Sequence, residues 1–375
     1  MNYDPDARRD TPLSCNLIAR IKRDGPLTVR QYMTACLQDA DHGYYRRREA
    51  IGRTGDFITA PEISQIFGEL IGLWSAVVWQ QMGGPSRINL IELGPGRGSL
   101  MRDALRALRL VPDFLSAANV HLVESSETLH AAQTETLGAI DLPINWHPRL
   151  EDVPEGPTIV IGNEFLDALP VEQLIATPSG WRCRSVTVDD LDRLQFGEIA
   201  LPPSGRLDIP VHAENAPAES ILTVPDFSEL SAPLASLGKS APLAALLIDY
   251  GHAASEIGDS LQAVRDHHHE HPLTSPGEAD LTTQVDFEAV RTQITMSGSE
   301  NAADPALVVD GPITQAEFLG ALGIVQRASR LMAANPIEAG NIELGVARLL
   351  APQGMGTRFK ALGVRSGRLP TLPGF

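Results

Sequence analysis

The stretch IELGPGRGS sets one carboxylate, Glu92, just ahead of Gly94, Gly96 and Gly98. Glycines at alternate positions let a backbone turn sharply and lie close against a ligand. Such a loop at the carboxyl end of a buried strand is where open α/β sheets bind nucleoside cofactors. No Gly-Lys-Ser/Thr follows, which excludes a phosphate-binding P-loop. A dinucleotide loop needs G-x-G-x-x-G, and Ser99 occupies the place of its third glycine. What stands here is E-x-G-x-G-x-G, the form used for S-adenosyl-L-methionine (SAM). The acid agrees with that choice. SAM carries an ammonium and a sulfonium, which a carboxylate attracts, whereas it would repel a pyrophosphate. Glu124, closing the next strand in HLVE, is placed to accept both ribose hydroxyls. The bland alternative is a tight turn with no ligand.

A second set of polar residues follows another strand, in GNEFLDALP: Asn163, Glu164 and Asp167. In a doubly wound sheet this strand end faces the reacting group across the crevice. Methyl transfer is an in-line displacement, so catalysis rests on orienting the acceptor and removing water from it. Carbonyl and carboxylate oxygens do that for an acceptor nitrogen by holding its N–H groups. The competing reading makes Asn163 and Asp167 caps of the next helix, since Asn and Asp are preferred there. A third polar cluster lies in GDFITAPEIS. A helix start needs one cap, yet Asp56, Thr59, Glu62 and Ser64 are all polar, and Pro61 fits a first helical turn. We expect this stretch to fold over the glycine loop and form a wall of the site.

These residues need elements to hold them. RINLIELG, VHLVE, TIVIGNEF and LAALLIDYG are short apolar runs of the kind that form buried parallel strands. SLMRDALRALRL and SETLHAAQTETLG between them read as helices. Strand and helix alternate as in a doubly wound parallel α/β sheet. Residues 1–80 read as mostly helical, with Thr28 as an N-cap. Residues 171–239 carry short β-like pieces (EQLIAT, WRCRSVTV, ILTV) between turns and read as an inserted antiparallel element. Residues 81–170 and 240–375 then form the cofactor-binding core, with MSGSENAADPA as loop and MGTRFKALGVRS as an edge strand.

Composition bounds the partners. The 375 residues are 43 % apolar and 21 % charged, ordinary globular values. The formal net charge is −17, and a surface this negative repels phosphate backbones, so no nucleic-acid partner is expected. Arg46-Arg47-Arg48 lacks an accompanying aromatic stripe and reads as solvated loop. Three cysteines without CxxC spacing point to a reducing compartment and away from zinc. No run reaches membrane-spanning length, and the N-terminus has neither an apolar core nor a transit-peptide composition, so a cytoplasmic protein is expected. In DHHHEHP, His267 and His271 would share a helix face, but no third separated ligand is apparent. We read a solvated loop with one structural histidine and expect no metal. The apolar run LWSAVVWQ reads as core.

The motifs TGDFITAPEISQIFGELIG, IELGPGRGSLMRDALR, GNEFLDALPVEQL, LLIDYGH, SLQAVRDH, PGEADLTTQVDF and GPITQAEFLGALGI together resemble the MidA family of SAM-dependent methyltransferases. That family includes a mitochondrial complex I assembly factor that acts as a protein arginine methyltransferase. The resemblance runs from about Gly25 to the C-terminus. It implies a class I, Rossmann-like methyltransferase fold with an N-terminal helical region and a β insertion. It implies SAM on Gly94, Gly96, Gly98 and Glu124, with Asp56, Thr59, Pro61, Glu62 and Ser64 at the site wall. It places Asn163, Glu164 and Asp167 by the acceptor, and Asp249 and Tyr250 in the same crevice. The implied acceptor is an arginine on a hydrophilic subunit of complex I. Paired carboxylates suit a guanidinium, whose forked donors they match bidentately. Two other functions fit the same residues: a small-molecule N- or O-methyltransferase, and an assembly chaperone that uses SAM little or not at all. The sequence leaves the oligomeric state open.

Overall fold

The computed structural model describes residues 3–46, 59–201, 210, 213–297 and 307–375. Its centre is an eight-stranded sheet with seven strands along its main path, β1 (Ile88–Leu93), β2 (Ala118–Val123), β3 (Ile144–His147), β4 (Thr158–Asn163), β5 (Leu243–His252), β6 (Leu307–Thr314) and β7 (Phe359–Ser366), and the short strand Val285–Asp286 paired parallel with the end of β5. The order along the main path is β6-β7-β5-β4-β1-β2-β3. The strands β3, β2, β1, β4 and β5 are mutually parallel, while β7 runs antiparallel to both β5 and β6. The order reverses at β1 and β4, which places the crevice of an open α/β sheet outside their carboxyl ends.

The apolar runs become central strands because helices cover both faces. Leu90, Ile159, Ile161, Leu246 and Ile248 point to one core, shared with the Gln65–Gln81 and Ser99–Leu108 helices. Ile91, Val160, Ala245 and Leu247 point to the other, under the Ser228–Ser240 and Phe287–Ser297 helices. Strands buried on both faces lose the polar alternation of an exposed sheet. The first pair of helices packs very closely. A Cβ on Gly72 would lie 2.6 Å from the Ala104 carbonyl oxygen, and one on Gly68 would lie 2.8 Å from Asp103 Cβ. Glu69, buried beside them, accepts from Arg106 at 3.0 Å and Arg327 at 2.7 Å, which ties the helix 324–334 to the same pair.

A separate antiparallel sheet joins Glu172–Thr177, Gly180–Val188, Leu194–Ile199 and Ile221–Val224 to Leu27–Thr28 near the N-terminus. Thr28 caps the Val29–Gln38 helix in a reciprocal arrangement with Gln31. A third sheet pairs Leu261–Arg265 with His268–Glu270 and Asp280–Thr283.

Several expectations change. MGTRFKALGVRS is not at an edge: β7 is flanked by β5 and β6, and β6 takes the edge. Its apolar alternation carries no sign of whether a partner lies on one side or both. DHHHEHP is not loop throughout: Asp266 and His267, with φ of 50° and 62°, turn a hairpin whose second strand is His268–Glu270. His271 packs against Tyr3 and Phe196, and burial pushes its pKa down to about 4. Strands 144–147 and 194–199 are additional to those expected. Met296 and Ser297 end a helix, and the remainder of MSGSENAADPA, from 298 to 306, lies outside the described residues. Trp74 and Val78 of LWSAVVWQ are core.

Candidate active site

A cavity opens at the carboxyl ends of β1 and β4. Thr59, Pro61, Glu62, Glu92, Gly94, Gly96, Asn163 and Glu164 line it, together with Pro95, Arg97, Ser99 and Leu100. Three separate stretches of sequence thus meet in one place. Gly94, Gly96 and Gly98 have φ of 56°, 53° and 82°, a region that disfavours side chains. A Cβ on Gly94 would lie 3.0 Å from the Phe165 ring. The loop is pinned by Gly94 N–H donating to the Val123 carbonyl at 3.0 Å and by Gly98 N–H donating to Pro95 at 2.8 Å.

Glu92 is only 4 % exposed. A backbone hydrogen bond from Met101 supports its carboxylate, while its Oε2 has no partner among the described residues. Burial pushes the carboxyl up to about 8. An unpartnered acid oxygen in the lining of a cavity fits a group that brings its own positive charge. Glu124 follows β2, with Oε1 accepting from Ser126 N–H at 2.7 Å and Oε2 accepting from Gln133 at 3.2 Å. Each oxygen keeps lone-pair capacity for a further donor. The donor set and the open loop together fit a cationic nucleoside.

The acceptor side lies across the cavity. Glu164 adopts φ 51°, which turns the chain sharply after β4. Its Oε1 accepts from Ala60 N–H at 3.0 Å and from Asn163 Nδ2 at 3.2 Å, which docks the start of the Ala60–Ile63 helix against the strand end. Asn163 is 9 % exposed and its Oδ1 has no partner among the described residues. Burial raises Glu164 to about 7. Asp167 lies behind it, also raised to about 7 by burial, with Tyr250 hydrogen-bonding its carboxylate. Asp249 is 0 % exposed and accepts from Leu166 N–H at 2.8 Å, Asp167 N–H at 3.2 Å and Tyr250 N–H at 2.9 Å. Burial holds its carboxyl well above the usual range, with Asp167 and Glu164 adding to the effect. Asp280 reaches the group from the third sheet, 3.4 Å from the Tyr45 hydroxyl. Among the described residues, Glu164, Asp167 and Asp249 have no ion-pair partner. Buried acids of this kind hold their protons, and an arriving cationic group would favour their ionised form.

The GDFITAPEIS question resolves by position. Thr59 is the N-cap of a four-residue helix yet makes no side-chain capping bond, and it lines the cavity with Pro61 and Glu62. Ser64 does not line it; its hydroxyl instead accepts from Ile66 N–H at 3.3 Å and caps the Gln65–Gln81 helix. Asp56 lies outside the described residues. Asp167, Asp249 and Glu124 stand adjacent to the cavity rather than in its lining. Asp167 and Asn163 are not the cap of a following helix, because a turn and strand 172–177 come next. Sequence reasoning did not single out Gln133, Tyr45 or Asp280. Gln133 is one more polar residue on an amphipathic helix, and the other two lie far from the glycine loop in the chain.

Residues 70–303 match the protein family described as S-adenosyl-L-methionine-dependent methyltransferase. The chain is 35 % identical over 389 residues to mouse protein arginine methyltransferase NDUFAF7, mitochondrial, covering 96 % of this chain and 85 % of that protein. It is 36 % identical over 383 residues to the Drosophila melanogaster homolog of that enzyme, covering 95 % and 85 %. A Burkholderia thailandensis crystal structure bound to S-adenosyl-homocysteine superposes with a TM-score of 0.84 at 25 % identity, over 99 % of this chain and 98 % of that one.

Proposed function

The chain belongs to the family of SAM-dependent methyltransferases, and on that premise we propose that it methylates the guanidinium of an arginine in a protein. The observation that carries this reading is the set of buried acids at the ends of β4 and β5, Glu164, Asp167 and Asp249, which have no ion-pair partner among the described residues. The mouse and fly relatives are named protein arginine methyltransferases, which supports the same acceptor class. SAM supplies an electrophilic methyl group on a positively charged sulfur.

The chain's own residues account for the rest. Glu92 offers an unpaired oxygen to the donor's cationic part, and Glu124 offers two oxygens to its ribose. Asn163 Oδ1 and the Glu164 carboxylate present acceptors to the guanidinium N–H groups and fix its plane. Arginine holds its proton far above neutral pH, so the attacking nitrogen must shed one as the new bond forms. Glu164 lines the cavity and, raised to about 7, is basic enough to receive it near neutrality, with Asp167, also raised to about 7, behind it.

The protein acceptor we propose, following the family resemblance, is a hydrophilic subunit of respiratory complex I; that it is modified in the cytoplasm is proposed from the composition of the N-terminus alone. Mass spectrometry of complex I subunits from a strain lacking the gene tests it. Loss of methylation at an arginine is the expected result. An unchanged pattern would remove this substrate and leave the methyltransferase assignment standing.

A further inference from the structure

Gln133 sits on the Glu127–Leu137 helix with 0 % exposure, yet all its polar atoms are engaged. Its Nε2 donates to the Gly96 carbonyl at 2.9 Å and to Glu124 Oε2 at 3.2 Å. Its Oε1 accepts from Trp146 Nε1 at 2.9 Å. This arrangement fixes which end of the amide is which. Turned over, the amide oxygen would face two acceptors and the nitrogen would face the indole N–H. Trp146 is held in turn by the ring of His130, 4.3 Å away between centroids.

One side chain therefore ties together two parts of the site that belong to different strands. Gly96 is the middle of the loop after β1, and Glu124 is the acid after β2. Ser126 N–H already holds Glu124 Oε1. The bond from Gln133 to Oε2 leaves the carboxylate no freedom to rotate, so its remaining lone pairs keep one direction. From this geometry we propose that Gln133 is a positioning residue for the cofactor, aligning Glu124 with the ribose diol and setting its distance from the glycine loop. The inference rests on Glu124 as the ribose acceptor. Burying a neutral amide here also answers a physical need: a lysine would neutralise the acid, and an apolar residue would take from Glu124 Oε2 and the Gly96 carbonyl the donor they share.

The test separates positioning from mere packing by using the ribose itself. Full-length protein is titrated calorimetrically with S-adenosylhomocysteine and with its 2′-deoxy analogue. Wild type is expected to bind the ribose form about tenfold tighter, as befits a lost hydrogen bond to a charged group. Gln133→Leu is expected to reduce that preference to about twofold or less while weakening the ribose form. Trp146→Phe, which frees the amide without removing it, is expected to give an intermediate preference. It also serves where Gln133→Leu does not fold. A preference unchanged in the variants, whatever happens to melting temperature or absolute affinity, overturns the proposal. Wild type that binds the nucleoside with no ribose preference overturns it at Glu124, and wild type with no binding at all would count against the cofactor site as a whole.

Discussion

At the scale of single residues, the site is defined by acids whose charge is held in check by burial. Glu92 rises from 4.5 to about 8 and Asp167 from 3.8 to about 7, both because desolvation disfavours the charged form. The sign for stability follows directly. Between those limits the native state keeps protons that the unfolded chain has lost, so stability falls as pH rises through the window. Glu92→Gln removes one such group. Its melting temperature relative to wild type is expected to improve from pH 5 to pH 8, and a pH-independent difference would show that Glu92 is ionised in the free protein. The acceptor acids carry a different prediction. Glu164→Gln and Asp167→Asn should lower arginine methylation about a hundredfold or more, the scale of a lost proton acceptor. Affinity for S-adenosylhomocysteine, measured by calorimetry, should stay within about threefold, because Glu164 lies on the acceptor side of the cavity and Asp167 stands behind it.

At the scale of elements, close helix packing carries the glycine loop. The Ser99–Leu108 helix begins at Gly98 and lies against the Gln65–Gln81 helix through Gly68 and Gly72. Gly72→Ala improves helix propensity but puts a methyl group 2.6 Å from the Ala104 carbonyl oxygen. The clash should dominate, lowering stability by about 1–3 kcal/mol in denaturant unfolding. A stabilised variant would mean that the two helices separate freely. The same packing explains what was legible in the sequence. The parallel strands announce themselves as apolar runs ending in Gly94 or Asn163, and Thr28 as a cap needs only local spacing. The glycine loop and the acids at strand ends follow from that frame. What escaped was long-range. The interior place of β7 depends on pairing with β6, and the union of Tyr45 and Asp280 with Asp167 depends on a sheet contributed from beyond residue 260. Ser64 and Thr59 look alike in sequence, and only the docking of Ala60 N–H on Glu164 assigns one to the cap and the other to the cavity.

At the scale of the whole molecule, the central sheet brings the donor half and the acceptor half of the site to the carboxyl ends of its parallel strands. Glu92 and Glu124 stand at the ends of β1 and β2; Asn163, Glu164, Asp167 and Asp249 stand at the ends of β4 and β5. The formal net charge is −17, a balance that favours approach of a basic segment over that of an acidic one. The central claim is that these two halves face one another across the cavity. A crystal structure of the full chain with S-adenosylhomocysteine tests it most directly. The ribose is expected on Glu124, the amino-acid end near Glu92 and the sulfur turned toward Asn163 and Glu164. A nucleoside bound outside the Gly94–Gly98 loop, or a sulfur facing away from Asn163, would contradict it.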